Sequence, residues 1–111
     1  MDEECATMIG DRGHVICERA LKFWKPEAQI AMFFEEAGEF MTAFHQYKRK
    51  RIKLETVIGE LCDLMIMSEQ MSIFLGEKDV KRILDHKLDK LQQHLDRAKE
   101  NESVQRPTQE G

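Results

Sequence analysis

Apolar residues recur at steps of three and four along most of this chain, and that spacing leaves little room for anything but α-helices. Ile30, Phe34, Ala37, Met41 and Phe44 form one such stripe. Leu54, Ile58, Leu61, Met65, Ser68, Ser72 and Leu75 follow the same rhythm. A helix turns about 100° per residue, so these steps bring the named side chains onto one face. Val57, Leu64, Met71, Cys62, Ile66 and Ile73 extend the apolar surface of the second stretch most of the way round. A helix of that kind is central or interfacial rather than peripheral.

Punctuation divides the chain into four segments. Only two prolines occur in 111 residues. Pro26, after Trp24-Lys25, suits the first turn of a helix, and Pro107 lies in a polar tail, residues 101–111, expected to be frayed. The first segment, about 2–24, carries Ile9, Gly13, Ile16, Ala20 and Phe23 on one face. Gly10 and Gly13 weaken it, at about 1 kcal/mol per helical glycine, or else permit close helix contact or break the segment. The second, 26–47, ends in the basic connector Lys48-Arg49-Lys50-Arg51. The third, 53–75, has Gly76 as its C-cap. The fourth, 77–99, sets Val80, Leu84, Leu88, Leu91, Leu95 and Ala98 against charged residues. The expectation is an all-α, four-helix-bundle-like single domain over residues 1–100. A helical chain this short often completes its core by oligomerising.

Charge narrows the function classes. The net charge of −4 argues against a nucleic-acid binder or a ligand of acidic membranes. No apolar run approaches the length of a membrane span, and no N-terminal apolar stretch resembles a signal peptide. Cys5, Cys17 and Cys62 are odd in number and form no CxxC, which fits a reducing, cytoplasmic setting.

Against this background two acidic pairs stand out. Glu36 and Glu39 follow Phe33-Phe34-Glu35, and Glu60 and Asp63 are the only charged residues between positions 57 and 67. Each pair has i,i+3 spacing, which places both carboxylates on one side of a helix. Moving the second segment on by 24 positions superimposes the stripes, Ile30 on Leu54 and Met41 on Met65, and also the acids, Glu36 on Glu60 and Glu39 on Asp63. If the two helices run antiparallel, both pairs face one groove. Four carboxylates in a groove repel one another unless a cation joins them. A hard divalent ion with oxygen ligands, Mg²⁺ with Mn²⁺ as its substitute, fits better than Zn²⁺. Mg²⁺ usually shares its coordination with substrate phosphates.

The run Glu35-Glu36-x-x-Glu39 followed by Glu60-x-x-Asp63 resembles the EExxE…ExxD signature of the MazG-like all-α nucleoside triphosphate pyrophosphohydrolases. The resemblance covers about residues 26–75 well and the fourth segment more loosely, and it implies a homodimer or homotetramer. It implies hydrolysis of a nucleoside triphosphate to monophosphate and pyrophosphate, in nucleotide-pool control or housecleaning. It also implies that Glu36, Glu39, Glu60 and Asp63 ligate Mg²⁺, which neutralises phosphate charge while a water attacks phosphorus. Glu35 matches the leading glutamate and either orients that water or completes a second metal shell. Position 67 is methionine, where the related phosphoribosyl-ATP pyrophosphatases tend to carry histidine, and this favours a nucleoside triphosphate.

Other residues enter as substrate-binding candidates. Lys87, Lys90 and Arg97 border the stripe of the fourth segment, where the family often carries cations for the phosphate tail; a solvated helix face is the alternative. Trp24 is either a base-stacking residue or a hydrophobic staple. The connector 48–53 either closes on substrate or solubilises. No histidine lies three residues after a glutamate, which excludes the paired Glu-x-x-His of a di-iron bundle. The competing functional readings are a non-catalytic nucleotide-binding regulator and a metal-binding oligomerisation bundle.

Overall fold

The computed structural model describes residues 9–105, with side chains through Glu102. Cys5 and Pro107 lie outside that range. Among the described residues every element is an α-helix: α1 (Gly10–Trp24), α2 (Pro26–Lys48), α3 (Leu54–Leu75) and α4 (Glu77–Gln105). They fall into two compact units, one ending at Gly76 and holding α1–α3, the other beginning at Glu77 and holding α4.

The connections in the first unit are short and their chemistry is local. Lys25 adopts φ 74°, and its N–H reaches back to the Leu21 carbonyl at 3.0 Å. Pro26, which has no N–H to satisfy, then opens α2. After α2 the basic connector folds back on the helix end: Lys50 sits at φ 60°, and the N–H groups of Lys50 and Arg51 donate to Tyr47 and Gln46 at 2.8 and 2.9 Å. Its cations thus accumulate where the last carbonyls of α2 carry partial negative charge. Gly76, at φ 117°, closes α3 with its N–H on the Ser72 carbonyl, a conformation that a Cβ would strain.

The faces that meet are displaced from the faces expected. In α2 the line turned toward α3 is Gln29, Phe33, Glu36, Phe40 and Ala43, all buried or half-buried. In α3 it is Val57, Glu60, Leu64, Met67 and Met71. Each line stands one residue, about 100°, before the regular apolar stripe. Much of the stripe points outward, with Phe34 68% and Met41 60% exposed, while Ile30, Ala37, Met65 and Ser72 are half-buried. In α1 the shift is one residue forward: Cys17 and Leu21 are buried, while Ile16 and Phe23 are exposed. Gly13 lies so close to Ile9 that an added Cβ would meet that side chain at 2.7 Å.

α4 runs on to Gln105, six residues past Lys99, and the rest of the expected tail, residues 106–111, lies outside the described residues. Its leucines at 84, 88, 91 and 95 share a face and are each about half exposed.

Candidate metal centre

A single buried contact sets the register of α2 against α3. Gln29 Nε2 donates to Gln70 Oε1 at 2.7 Å, both side chains being buried. The helices run antiparallel, so each step forward on α2 is matched by a step back on α3. Seven residues on from Gln29 is Glu36, and seven back from Gln70 is Asp63. Ten on is Glu39, and ten back is Glu60. The four acids therefore stand at one level of the hairpin, as the acidic pairs require if they face one groove.

Local sequence decides how deeply each acid sits. Glu36 lies on the contact line of α2 between Phe33 and Phe40, and Glu60 on that of α3 between Val57 and Leu64. Both are half-buried. Glu39 and Asp63 each precede a contact-line residue, turn to the same side of the hairpin, and are exposed. One ligand oxygen or more from each of Glu36, Glu60 and Asp63 lies within 4.8 Å of the others. Glu36 Oε1 and Glu60 Oε1 are shut off from solvent, and neither has a hydrogen-bond partner. The Glu36 carboxyl is held above the ordinary carboxylate range by burial first, then by the charges of Glu39 and Asp63. Glu60 is raised by burial first, then by the charges of Glu39 and Asp63.

These observations bear on whether the residues fit a cation. Buried unpaired carboxylate oxygens are costly, and they are rare unless a ligand completes them. Ligand oxygens on opposite sides of one ion stand about 4 Å apart on Mg²⁺ and about 5 Å apart on Ca²⁺, twice the respective bond lengths. Oxygens within 4.8 Å of one another are close enough for one divalent cation to join, with a small closure of the cluster needed for Mg²⁺. The donors are all carboxylate oxygens, the chemistry of Mg²⁺, Mn²⁺ and Ca²⁺ rather than of Zn²⁺.

The remaining candidates are placed elsewhere. Glu35 is exposed and lies one residue before Glu36. Trp24 is exposed at the α1–α2 turn, edge-on to Phe23 with ring centroids 5.0 Å apart. It walls an open depression of about 630 Å³ with Ile16, Arg19 and Lys22. Ten residues of α2, about 15 Å of rise, separate that turn from Glu36. In the second unit Lys87, Lys90 and Arg97 are exposed, and the last two border a shallow depression with Gln93 and His94.

Two polar contacts escaped the sequence reading. Gln29–Gln70 is one. The other is His14, whose Nδ1 lies 2.6 Å from Glu69 Oε2 and whose Nε2 lies 3.5 Å from Glu18 Oε2, tying α1 to α3. Beside it the buried Cys17 thiol faces the Ile66 carbonyl at 3.6 Å, and burial, then the Glu69 charge, push its pKa up. The acids held a clue to the first contact: bringing them level puts position 29 opposite position 70.

No protein-family model, no curated protein and no solved structure matches this chain. No helix among the described residues is long and apolar enough to cross a membrane. Among the described residues the protein is all-α and carries a carboxylate cluster that could hold a metal ion.

Proposed function

We propose that the chain is a cytoplasmic, Mg²⁺-dependent hydrolase that converts a nucleoside triphosphate to its monophosphate and pyrophosphate, in the manner of the MazG-like enzymes. The observation that carries this reading is the pair of buried, unpartnered oxygens of Glu36 and Glu60, which with Asp63 form a cluster of three carboxylates that does not include Glu39. A solvated acidic face would leave no carboxylate oxygen both dry and unpaired.

Each residue has a distinct task. Glu36 and Glu60 would hold the cation from the buried side, and Glu39 and Asp63 from the open side. When bound, the cation supplies positive charge to phosphate oxygens and acidifies a coordinated water. Phe33, Phe40, Val57 and Met67 keep water from reaching the cluster from behind. Substrate and water therefore enter from the side that Glu39 and Asp63 face. Glu35, free to reach solvent, would orient the attacking water and accept its proton on a carboxylate oxygen. Lys87, Lys90 and Arg97 offer charge for the triphosphate and Trp24 a face for the base.

The test is a panel of ribo- and deoxyribonucleoside triphosphates incubated with Mg²⁺ or Mn²⁺, with both products measured. Equimolar monophosphate and pyrophosphate are expected, abolished by a chelator. Calorimetric binding of nucleotide with no product would instead identify a regulatory binding module.

A further inference from the structure

The connector between α2 and α3 concentrates charge of one sign. Residues 40–54 hold Lys48, Arg49, Lys50, Arg51, Lys53 and His45, and no acid. The net charge of −4 is an average over the chain and conceals this patch. All five Lys and Arg residues are exposed, and among the described residues no ion pair involves them. Backbone hydrogen bonds from Lys50 to Tyr47 and from Arg51 to Gln46 fold the connector over the last turn of α2. Along that end of α2 the rings of Phe40, Phe44 and Tyr47 stand in a row, with centroids 5.8 and 6.4 Å apart. Phe40 is half-buried, whereas Phe44 and Tyr47 are 44% and 36% exposed. Phe40 and Phe44 wall, with Met41, His45 and Lys48, an open depression of about 290 Å³.

We propose that the connector and these rings bind single-stranded nucleic acid, with phosphates on the cations and bases on Phe44 and Tyr47. Five like charges in six positions repel one another, and the partial negative charge at the end of α2 offsets only part of that. A polyanion offsets the rest and gains by releasing its own counterions. The rings select among polyanions. Every unpaired base offers a flat face to an aromatic side chain, whatever its sequence. A duplex keeps its bases inside the stack and offers the rings no free face. An anionic bilayer also draws a polybasic segment. Its flat surface, however, meets the tip of the hairpin, and Phe44 and Phe40 lie roughly 6 and 12 Å of helix rise behind Lys48. A flexible strand can follow α2 past the tip and reach both cations and rings. Lys48 stands nine residues beyond Glu39, about 13 Å of rise. The patch is therefore separate from the acidic cluster, and the inference does not rest on the hydrolase reading.

The test is fluorescence anisotropy of labelled oligothymidylate, about ten nucleotides long, titrated with the whole chain in chelator so that no metal bridges phosphate to the acids. Saturable binding is expected. With five cations on phosphates, log K should fall against log salt with a slope of about −3.5, a loss of about a hundredfold between roughly 50 and 200 mM. Arg49→Gln and Arg51→Gln together should bring the slope to about −2.1 and that loss to about twentyfold. Phe44→Ala and Tyr47→Ala should each weaken binding about fivefold or more and leave the slope unchanged. Circular dichroism checks the helices of every variant. Should a ring variant unfold, the arginine pair, exposed on the connector, still decides. No saturable binding in the wild type, an unaltered slope in the arginine variant, or full affinity in both folded ring variants would overturn the proposal. Equal affinity for a duplex at the same salt, or tighter binding to vesicles of phosphatidylserine and phosphatidylcholine, would overturn it too and assign the patch to another polyanion.

Discussion

Replacing Gln29 by leucine should destabilise the protein, and replacing Gln70 as well should restore much of the loss. The two side chains are 6% and 4% exposed and share a 2.7 Å hydrogen bond. Gln70 Nε2 also faces Met67 Sδ at 3.8 Å, a weak acceptor. In Gln29→Leu, Gln70 Oε1 is stranded away from water; in Gln70→Leu, Gln29 Nε2 is stranded. Each single change should cost about 1–3 kcal/mol, the desolvation penalty of an unsatisfied buried group. Near this chain length that lowers Tm by roughly 5–15 °C. The double variant strands neither group, so the two losses should fail to add by about 1–2 kcal/mol. Urea unfolding of the four proteins, followed by circular dichroism, gives the cycle. The contact also selects the register: a slip of one turn would set Glu36 opposite Gly59 or Met67 and part the acid pairs. Mn²⁺ affinity should therefore fall in the single variants. Additive losses, with Mn²⁺ affinity unchanged throughout, would refute the assignment of register to this contact.

Further outcomes follow from the same structure. Glu39→Ala and Asp63→Ala should each abolish Mg²⁺-dependent pyrophosphate release while the helical circular dichroism persists; full activity in either variant would remove these residues from the site. The raised carboxyls of Glu36 and Glu60 bind more protons folded than unfolded. Their contribution to stability is thus present at low pH and lost as pH rises through the raised values. In chelator, Tm should fall as pH rises from about 5 toward neutrality, and Mg²⁺ should flatten that fall; a chelated protein whose Tm climbs over this range would contradict the coupling. Gly38 has nothing within 4 Å of an added Cβ, so Gly38→Ala should stabilise α2 by roughly 0.5–1 kcal/mol. Gly13→Ala should lower Tm by forcing Ile9 aside, and equal melting of the two variants would count against this contact.

The helices were legible because their apolar spacing, Pro26 and Gly76 all point the same way. Their contact faces were not. α2 and α3 each carry two apolar faces about 100° apart, and the pattern alone does not say which one meets the neighbouring helix. The more regular face, with Phe34 and Ile58, is exposed in the chain; the one interrupted by Glu36 and Glu60 meets the neighbour. The acids stood out in the sequence because they share an angular place on two similar helices. Their unequal depth did not, since it depends on which line is buried: Glu36 and Glu60 fall on it, Glu39 and Asp63 beside it. The partners of Gln29, His14 and Gln70 were not legible because a polar residue in an apolar run declares its partner only once the register is known.

Titration of the chelator-stripped protein with Mn²⁺, followed by electron paramagnetic resonance of the free ion, tests the acidic cluster most directly. The account predicts saturable binding that Mg²⁺ competes away and that Glu36→Gln and Glu60→Gln each weaken at least tenfold. Binding that leaves both variants unaffected, or no saturable binding in the wild type, would contradict it.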